Sequence, residues 1–310
     1  MTVIDLKTGK ETALPQGARI SCALGNFDGV HIGHRELLLQ TAKKEHGANT
    51  SAVWTFRVHP QIYLGKAKVK ILTDTEQKLE YFRAAGIEYA ILEDFAAVSA
   101  LPPEEFAKDL LIEKLGVCHA VCGFNFSFGK KAAGNAALLK KYFEECGQNV
   151  SIIPPCRIGG DTVSSSLIRE KIEQGDIECA EKLLGHPFSL YLPVTEGQKL
   201  GRTLGIPTIN QILPENSAVP RFGVYAALCH IDGKVYAGVS NVGIRPTIDE
   251  EKKNVGCETH ILDYSGDLYG KKIRVDFCKF IRAERKFDSL EALTAEIQKN
   301  IAEIREYFGK

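Results

Sequence analysis

The sequence contains no run of about 18 apolar residues, so it predicts no membrane-spanning helix. Charge of one sign is not in excess either, because 39 Lys and Arg residues balance 39 Asp and Glu residues. This balance argues against extensive nucleic-acid binding, although a local basic pocket for phosphates is compatible with it. The opening stretch MTVIDLKTGKETALPQG lacks the apolar core and the small-residue cleavage site of a secretory signal. We therefore expect a cytoplasmic protein with no membrane and no nucleic-acid partner.

The cysteines lack the spacing of a disulfide framework. There are nine of them, an odd number. The closest pair, Cys118 and Cys122, would share one face of a strand, and no second pair completes a metal site. We expect reduced, buried thiols, which are typical of cytoplasmic proteins.

The length predicts two domains, because 310 residues exceed the roughly 250–300 at which a single core stops growing. From Ile20 to about Gly185, short apolar runs alternate with helical patterns, which predicts a parallel sheet covered by helices on both faces. Within this region Thr73 and Glu76 have capping-box spacing and predict a helix start. The segment SSSLIREKIEQGDIECAEKLLG adds two short helices. We place the first domain at residues 1–186.

The second domain, residues 187–310, has short β-rich runs broken by Gly, Pro and Asn. Asp232 and Gly233 between two alternating apolar runs predict a hairpin, and the spacing of the runs indicates a small antiparallel barrel. The last helix has an apolar stripe at steps of three and four, which predicts that it packs on the barrel. The stripe consists of Leu290, Leu293, Ile297, Ile301, Ile304 and Phe308.

The tetrad His31-Ile32-Gly33-His34 lies between a predicted strand and an amphipathic helix, at the sheet edge where open α/β folds bind ligands. Both histidines would lie on one face near the helix N-terminus, where free amides and the helix dipole favour anions. Gly33 lets a phosphate approach the backbone, and imidazole N–H groups can donate to its oxygens. Two histidines with no Cys or carboxylate at ligand spacing do not complete a zinc site. The pattern favours a phosphate-binding turn over a metal site or a purely structural turn.

Around this tetrad, GNFDGVHIGHRELL resembles the signature of the nucleotidyltransferase superfamily, and specifically that of bacterial bifunctional riboflavin kinase/FMN adenylyltransferases. The resemblance continues in the family's order through GFNFSFGKKAAG, VSSSLIRE, GRTLGIPTIN, GVYAA, GVSNVGIRPTI and ETHILDYSGDLYG. It covers essentially the whole chain, and this ordered series is more specific than His-x-Gly-His alone. It implies an α/β fold with an N-terminal Rossmann-like nucleotidyltransferase domain and a C-terminal antiparallel β-barrel kinase domain that ends in a long helix.

The resemblance implies two consecutive reactions. Riboflavin and ATP give FMN in the C-terminal domain, and FMN and a second ATP give FAD and pyrophosphate in the N-terminal domain. Mg²⁺ would be the cofactor, ATP the co-substrate, and riboflavin, FMN and FAD the substrates and products. Catalysis would consist of positioning and charge stabilisation without a covalent enzyme intermediate. We expect only small-molecule partners, and a monomer or weak homo-oligomer.

The family positions also imply a nucleotide site in the first domain. His31 and His34 would hold the ATP phosphates. The residues that would line the site around them are Gly25, Asn26, Phe27, Asp28, Gly33 and Asn125. Ser164, Ser165 and Arg169 would form a mobile loop that closes on the triphosphate. Taken alone, hydroxyls at a helix start and an arginine one turn later suit an anion, but they equally suit a helix cap with a solvated arginine.

The kinase site is less evident from the residues alone. GRTLGIPTIN is neither a Walker A loop nor a protein-kinase motif, and it would pass for a Gly-rich turn before a strand. The resemblance makes Thr208 and Asn210 the ligands of Mg²⁺–ATP, and Mg²⁺ prefers such oxygen donors. It makes Glu258 the general base for the ribityl 5′-hydroxyl and places Arg282 near the flavin. The residues that would cradle the phosphates, in a loop that begins at Gly197, are Gly201, Arg202, Gly205 and Pro207.

The chain departs from the family pattern at a few positions. In TFRVHP, Arg57 and Val58 replace an acidic residue and a proline, and Arg57 would add positive charge near the phosphates. Ser127, Ile206 and Ile209 replace the more common Arg, Phe and Ala. None of these changes removes a residue assigned to chemistry.

Two other classes of protein share some of these features. A class I aminoacyl-tRNA synthetase also carries His-Ile-Gly-His, but it needs a Lys-Met-Ser-Lys-Ser-like loop, and the only methionine here is the initiator. The other alternative is a flavin-binding or regulatory protein with the same fold that has lost one of the two activities. The presence of both histidines, Thr208, Asn210 and Glu258 argues against that alternative.

Overall fold

A computed structural model describes residues 1–6, 14–65, 69–197, 201, 205–245 and 254–309. The chain divides into two compact units, Met1–Ser165 and Ser166–Lys310. This division falls before the predicted domain boundary at residues 186/187, because the second of the two short helices packs on strands of the barrel. Within the described residues, no helix is both long and apolar enough to cross a bilayer.

The first unit contains a six-stranded sheet in which every neighbouring pair is parallel. Its strands are β1 (Thr2–Asp5), β2 (Ile20–Leu24), β3 (Thr50–Phe56), β4 (Tyr89–Glu93), β5 (Val117–Gly123) and β8 (Asn149–Ile153). Two short ladders pair β6 (Ser127–Phe128) with β7 (Gly134–Asn135) and β9 (Arg157–Ile158) with β10 (Asp161–Thr162). The spatial order of the large sheet is β1-β4-β3-β2-β5-β8, which confirms the predicted parallel α/β architecture. Strand β1 is an addition to the prediction, which starts the sheet at Ile20.

Helices connect these strands. They are α1 (Ile32–Ala42), α2 (Pro60–Tyr63), α3 (Thr75–Ala84), α4 (Phe95–Val98), α5 (Pro103–Glu105) and α6 (Ala136–Glu145), with a 3₁₀ turn at Lys130–Ala132. Helix α5 continues into a π-helical segment, Phe106–Lys114. The predicted capping box is wrong by one residue: Asp74 caps α3 and pairs reciprocally with Gln77. Thr73 is not the cap, and its hydroxyl oxygen accepts a hydrogen bond from the Gly29 amide at 3.0 Å.

Both faces of the parallel sheet are apolar, which is why its central strands are nearly continuous apolar runs. In β2, Cys22 and Leu24 pack into the cluster on one face, whereas Ala23 packs into the cluster on the other face. Trp54, the only tryptophan of the chain, lies in the first cluster and is 2% exposed. The sheet is therefore a well-packed support for the loops at its carboxyl edge.

The second unit contains a six-stranded antiparallel sheet, in the order β11-β16-β13-β14-β15-β12. Its strands are β11 (Phe188–Pro193), β12 (Ile209–Ile212), β13 (Gly223–Ile231), β14 (Lys234–Arg245), β15 (Asn254–Ile261) and β16 (Lys272–Ala283). Its helices are α7 (Ser165–Gln174, which starts at the last residue of the first unit), α8 (Ile177–Leu184) and α9 (Leu290–Tyr307).

The two edge strands of this sheet approach each other, so the predicted barrel is confirmed as a nearly closed one. The Thr195 amide donates to the Asn210 carbonyl at 2.7 Å, and Gln211 Nε2 donates to the Leu192 carbonyl at 2.8 Å. Asp232 and Gly233 join β13 to β14 with φ angles of 49° and 77°, as the Asp-Gly hairpin pattern predicts.

Helix α9 packs on the outer face of the barrel, but not along its whole predicted stripe. Ile301, Ile304 and Phe308 pack against the barrel cluster. Leu290 was predicted to be part of the stripe and is 53% exposed, at the first position of the helix. Asn300 lies outside the stripe and is 2% exposed. Its buried Oδ1 accepts a hydrogen bond from Nε of Arg282 on the barrel.

Candidate functional site

The loop that follows β2 lies where the strand order reverses, between β3 on one side and β5 on the other. Open α/β sheets bind ligands at this switch point. Phe27, Val30 and Gly29 have φ angles of 53°, 37° and 83°. For a residue with a Cβ, such a conformation costs about 1–3 kcal/mol and persists only where the surroundings enforce it. Here the Phe27 ring is fully buried and fixes the loop.

The two histidines of the tetrad form a stacked pair at the start of α1. His31 is the N-cap residue, and its Nδ1 accepts the backbone N–H of His34 at 3.2 Å. The ring centroids are 3.6 Å apart with an interplanar angle of 12°. Because Nδ1 is the acceptor, the proton of the neutral His31 ring lies on Nε2, which is then a donor.

Two buried polar atoms of this loop have no hydrogen-bond partner among the described residues. They are Nδ1 of His34 and Oδ1 of Asn26. Burial, together with the nearby His31 and Lys78, lowers the pKa of His34 well below its ordinary value. Leaving buried polar atoms unsatisfied is costly, and such atoms are rare outside sites that receive a ligand or water. The tetrad is therefore built as a neutral, partly unsatisfied site.

The glycines of the motif leave no space for a side chain. A Cβ at Gly33 would lie 3.2 Å from Cε1 of His31 and 3.7 Å from Cβ of Cys156. A Cβ at Gly25 would lie 3.2 Å from the Phe27 ring. Substitution at either position would press on a ring that shapes the site.

Asp28 fastens the loop to its surroundings. Its Oδ1 accepts the amides of Leu72 and Thr73 at 2.8 and 3.3 Å, and the residue is 4% exposed. Its carbonyl accepts the Ser165 hydroxyl at 2.8 Å. Ser165, a predicted site residue, is thus bonded to the loop that carries the tetrad.

The remaining predicted residues of this site lie on other segments of the chain. Asn125 lies in an exposed turn after β5, at the same edge of the sheet. Ser164 is half-buried, and Arg169 belongs to α7 in the second unit. Arg57, which was expected to add positive charge, forms an ion pair with Asp5 of β1.

Lys78 of α3, which is not among the predicted site residues, is bonded to the loop that carries the tetrad. It is 6% exposed, and its Nζ donates to the carbonyls of Phe56 and Asn26 at 3.2 and 3.5 Å. Burial lowers its pKa to about 8, whereas the charges of Asp28 and Asp74 favour its protonated form. The sequence feature that could have indicated its burial is its spacing of four residues from Phe82, which places both on the inner face of the helix.

In the second unit, the strand register brings several predicted residues into one row. Asn210 of β12 lies opposite Glu258 of β15, which lies opposite Asn241 of β14. Asn241 in turn lies opposite Val224 of β13, which lies opposite Arg282 of β16. Side chains at directly opposed positions share a face of the sheet. Asn210 and Glu258 are therefore neighbours, and Asn241 is a further polar neighbour that the sequence did not reveal.

Arg282 lies in the same row but further along it. Three strand spacings separate it from Glu258, roughly 14 Å along the sheet. Its Nε lies 3.2 Å from Oε1 of Glu296 and donates to Oδ1 of Asn300 at 3.1 Å, both on α9. The structure therefore gives Arg282 a clear role in fastening α9.

The loop before β12 packs tightly on the predicted Mg²⁺–ATP ligands. A Cβ at Gly197 would lie 2.5 Å from Nδ2 of Asn210, and a Cβ at Gly201 would lie 2.3 Å from the Ile206 carbonyl oxygen. Gly205 has a φ of 71°. Arg202, which is predicted to help cradle the phosphates, lies outside the described residues.

A pocket of about 240 Å³ opens beside Thr208. Apolar residues, including Pro207 and Ile261, line it together with Tyr264 and Tyr269. The Pro207 carbonyl accepts a hydrogen bond from Nδ1 of His260, on the strand that carries Glu258. The volume is below the ~300–1,000 Å³ of pockets that enclose a whole drug-sized ligand, so it suits one part of a larger molecule.

Comparison with known proteins assigns the two units separately. The FAD synthetase family model matches residues 15–167, and the riboflavin kinase family model matches residues 184–308. The chain is 35% identical over 293 residues to the bifunctional riboflavin kinase/FMN adenylyltransferase of Listeria monocytogenes, covering 93% of this chain and 92% of that one. It is 36% identical over 304 residues to the enzyme of the same name from Escherichia coli strain K12, covering 96% of each.

A solved structure has the same overall fold. It is a crystal structure described as a macrolide-efflux protein from Streptococcus pneumoniae, 29% identical, with a TM-score of 0.86 and coverage of 98% of this chain and 99% of that one. Both family models, the near-complete coverage of named relatives and the order of the motifs agree. The chain belongs to the family of bifunctional riboflavin kinase/FMN adenylyltransferases.

Proposed function

We propose that the two reactions of this family are divided between the two sites described above. The enzyme phosphorylates riboflavin with ATP to FMN, and then adenylylates FMN with a second ATP to FAD and pyrophosphate. The observation that carries the division is that each family model covers one constellation: His31 and His34 fall within the first match, and Asn210 and Glu258 fall within the second.

In the adenylyl-transfer site, an FMN phosphate oxygen attacks the α-phosphorus of ATP in line, and the bond from that phosphorus to pyrophosphate breaks. Negative charge then grows on the leaving group. Nε2–H of His31 and the neutral ring of His34 would donate to its oxygens, at a helix N-terminus that favours anions. The unsatisfied Nδ1 of His34 and Oδ1 of Asn26 support a polar ligand at this place.

In the kinase site, the Glu258 carboxylate would take the proton of the ribityl 5′-hydroxyl. The hydroxyl oxygen attacks the γ-phosphorus of ATP, and ADP leaves. The cross-strand neighbours Asn210 and Asn241 flank Glu258 and would orient the groups that react. The pocket beside Thr208, with its apolar and tyrosine lining, would receive the nucleoside part of ATP.

Mg²⁺ fits the donors present in the kinase site. Thr208 and Asn210 are two residues apart and offer a hydroxyl and an amide oxygen, the hard neutral ligands that Mg²⁺ accepts beside phosphates and water. Gly197 packs against the Asn210 amide and restricts its position. When bound, Mg²⁺ would neutralise phosphate charge. The roles given to Gly201, Gly205, Asn125, Ser164 and Arg169 stay predictions.

We also propose a cytoplasmic location and a monomer or weak homo-oligomer. All nine cysteines are free thiols, and four of the five buried ones have a raised pKa through burial, which keeps them protonated and inert. Reduced thiols of this kind are usual in the cytoplasm.

The direct test is to incubate the purified protein with riboflavin, ATP and Mg²⁺ and to separate the flavins by chromatography. We expect FMN to appear first and FAD to follow. If no FMN forms, the kinase assignment is wrong. If FMN accumulates and no FAD forms, the adenylyltransferase assignment is wrong.

A further inference from the structure

Lys78 is a buried lysine that forms no direct ion pair with the described residues, although the charges of Asp28 and Asp74 act on it from a greater distance. It is 6% exposed, yet no carboxylate among the described residues lies within 4.0 Å of its Nζ. Its hydrogen-bond acceptors are two neutral carbonyls, of Phe56 and Asn26. Buried charges in proteins are normally paired, because an isolated buried charge is expensive. The ammonium is therefore available for direct pairing with an anion.

The position of Lys78 shows which anion is available. Its two acceptors are the carbonyls of Phe56, the last residue of β3, and of Asn26, in the loop after β2. Asn26 is the residue with the unsatisfied buried Oδ1. The ring centroid of its neighbour Phe27 lies 5.2 Å from that of His34. The ammonium is therefore bonded to the loop that carries the tetrad, at the carboxyl edge of the sheet.

We propose that Lys78 is a positioning residue for adenylyl transfer, which fixes the Asn26 loop against β3 and supplies a fixed positive charge that attracts the phosphates of the nucleotide. The proposal rests on the proposed division of the two reactions. It adds a residue from α3 to a site otherwise formed by the β2–α1 loop. It explains why a lysine occupies a buried position of α3, on the same helix face as the buried Phe82.

The pH dependence of the reaction follows from this arrangement. The titratable groups that face the ammonium are Asp28 from the β2–α1 loop, Asp74 at the start of α3 and His34 from α1. Burial lowers the pKa of Lys78 to about 8, against the opposing influence of the two aspartates. The free enzyme therefore loses this positive charge above about pH 8. A guanidinium at the same place stays charged over the whole range, because arginine does not titrate there.

The test compares Lys78→Met, Lys78→Gln and Lys78→Arg in the full chain, with the exposed Lys140→Met as the matched control. The readouts are kcat and KM for ATP in FAD formation from supplied FMN, from pH 6.5 to about 9.5. We expect Met and Gln to lower kcat/KM for ATP about 30-fold or more, mainly through KM, and Arg to stay within about fivefold of wild type. Wild-type kcat/KM should fall above about pH 8, and that of Lys78→Arg should not.

Two internal controls separate this role from a general structural one. FMN formation from riboflavin in the same preparations should stay within about twofold of wild type. Trp54, the only tryptophan, lies in the core of the first unit and reports whether that unit is folded. If Met unfolds the unit, the comparison of wild type with Arg across pH still decides the question.

The proposal is overturned if folded Lys78→Met forms FAD like wild type, or if Gln, which retains a donor without the charge, restores the rate. It is also overturned if wild type and Lys78→Arg have the same pH profile. A failure of wild type itself to form FAD would refute the proposed function, and is distinguishable from these results.

Discussion

The two sites of this enzyme are assembled in opposite ways. The proposed adenylyl-transfer site lies mostly in one short stretch, from Gly25 to His34, folded at the carboxyl end of a single strand. The proposed kinase site is a row across the barrel, in which Asn210, Asn241 and Glu258 come from three strands. The first depends on local backbone geometry and the second on strand register. The two should therefore fail for different reasons and independently of each other.

The largest expected effect is the loss of the general base. Glu258→Gln keeps the shape of the side chain but removes its ability to accept a proton, so kcat for FMN formation should fall by roughly 10²–10⁴. FAD formation from supplied FMN should stay within about twofold. Product chromatography with each flavin as starting substrate measures both rates.

The matched control for that variant is Glu306→Gln, an exposed glutamate on α9. It should leave both rates unchanged. Equal losses of both reactions in folded Glu258→Gln would contradict the independence of the two sites.

The tetrad should show the reverse pattern. His31→Ala removes the Nε2–H donor and the N-cap of α1, so FAD formation should fall by about 10²–10³. FMN formation should be preserved. His46→Asn, at an exposed position beyond α1 with a left-handed backbone conformation, is the control and should leave both rates unchanged.

The buried ammonium of the first site gives a stability signature. The pKa of Lys78 is lowered from 10.5 to about 8 on folding, so between these values the unfolded chain holds a proton that the native chain has released. Stability must rise with pH wherever the unfolded state binds more protons. From pH 8 to 10.5 the free energy of unfolding of the wild type should therefore gain up to about 3 kcal/mol relative to Lys78→Met.

Urea unfolding followed by Trp54 fluorescence measures this difference in the first unit alone. The other groups that titrate in this range are common to both proteins and cancel. Parallel curves for the two proteins would show that Lys78 is not shifted by burial.

Two glycine substitutions, one in each site, should lower the corresponding reaction rate by a smaller factor. Gly33→Ala would bring a Cβ to 3.2 Å from the His31 ring, and Gly197→Ala would bring one to 2.5 Å from Nδ2 of Asn210. We expect a loss of about tenfold, which corresponds to about 1.4 kcal/mol, in FAD formation for the first and in FMN formation for the second. If either variant affects the other reaction, the two sites are coupled.

The same contrast explains what could be predicted from sequence. His31, Gly33 and His34 were recognisable because a strand, a turn and a helix start determine their surroundings locally. The kinase residues Asn210 and Glu258 are 48 positions apart and meet only through the register of β12 and β15. No residue pattern specifies that register in advance, so only family resemblance pointed to them.

The remaining errors have tertiary causes as well. Lys78 was overlooked because a lysine on a helix is usually solvated, and its burial depends on β3 and the Asn26 loop. Thr73 has the spacing of a helix cap but binds the Gly29 amide, so Asp74 takes the capping role. Leu290 fits the apolar stripe of α9 by spacing and is nevertheless exposed.

Two independent sites on one chain would act in sequence, and a mixing experiment tests this division most directly. Folded His31→Ala and Glu258→Gln are incubated separately and together with riboflavin, ATP and Mg²⁺. His31→Ala alone should stop at FMN, Glu258→Gln alone should leave riboflavin unchanged, and the mixture should form FAD. If the mixture yields no FAD although both variants are folded, the division of the two reactions between these sites is wrong.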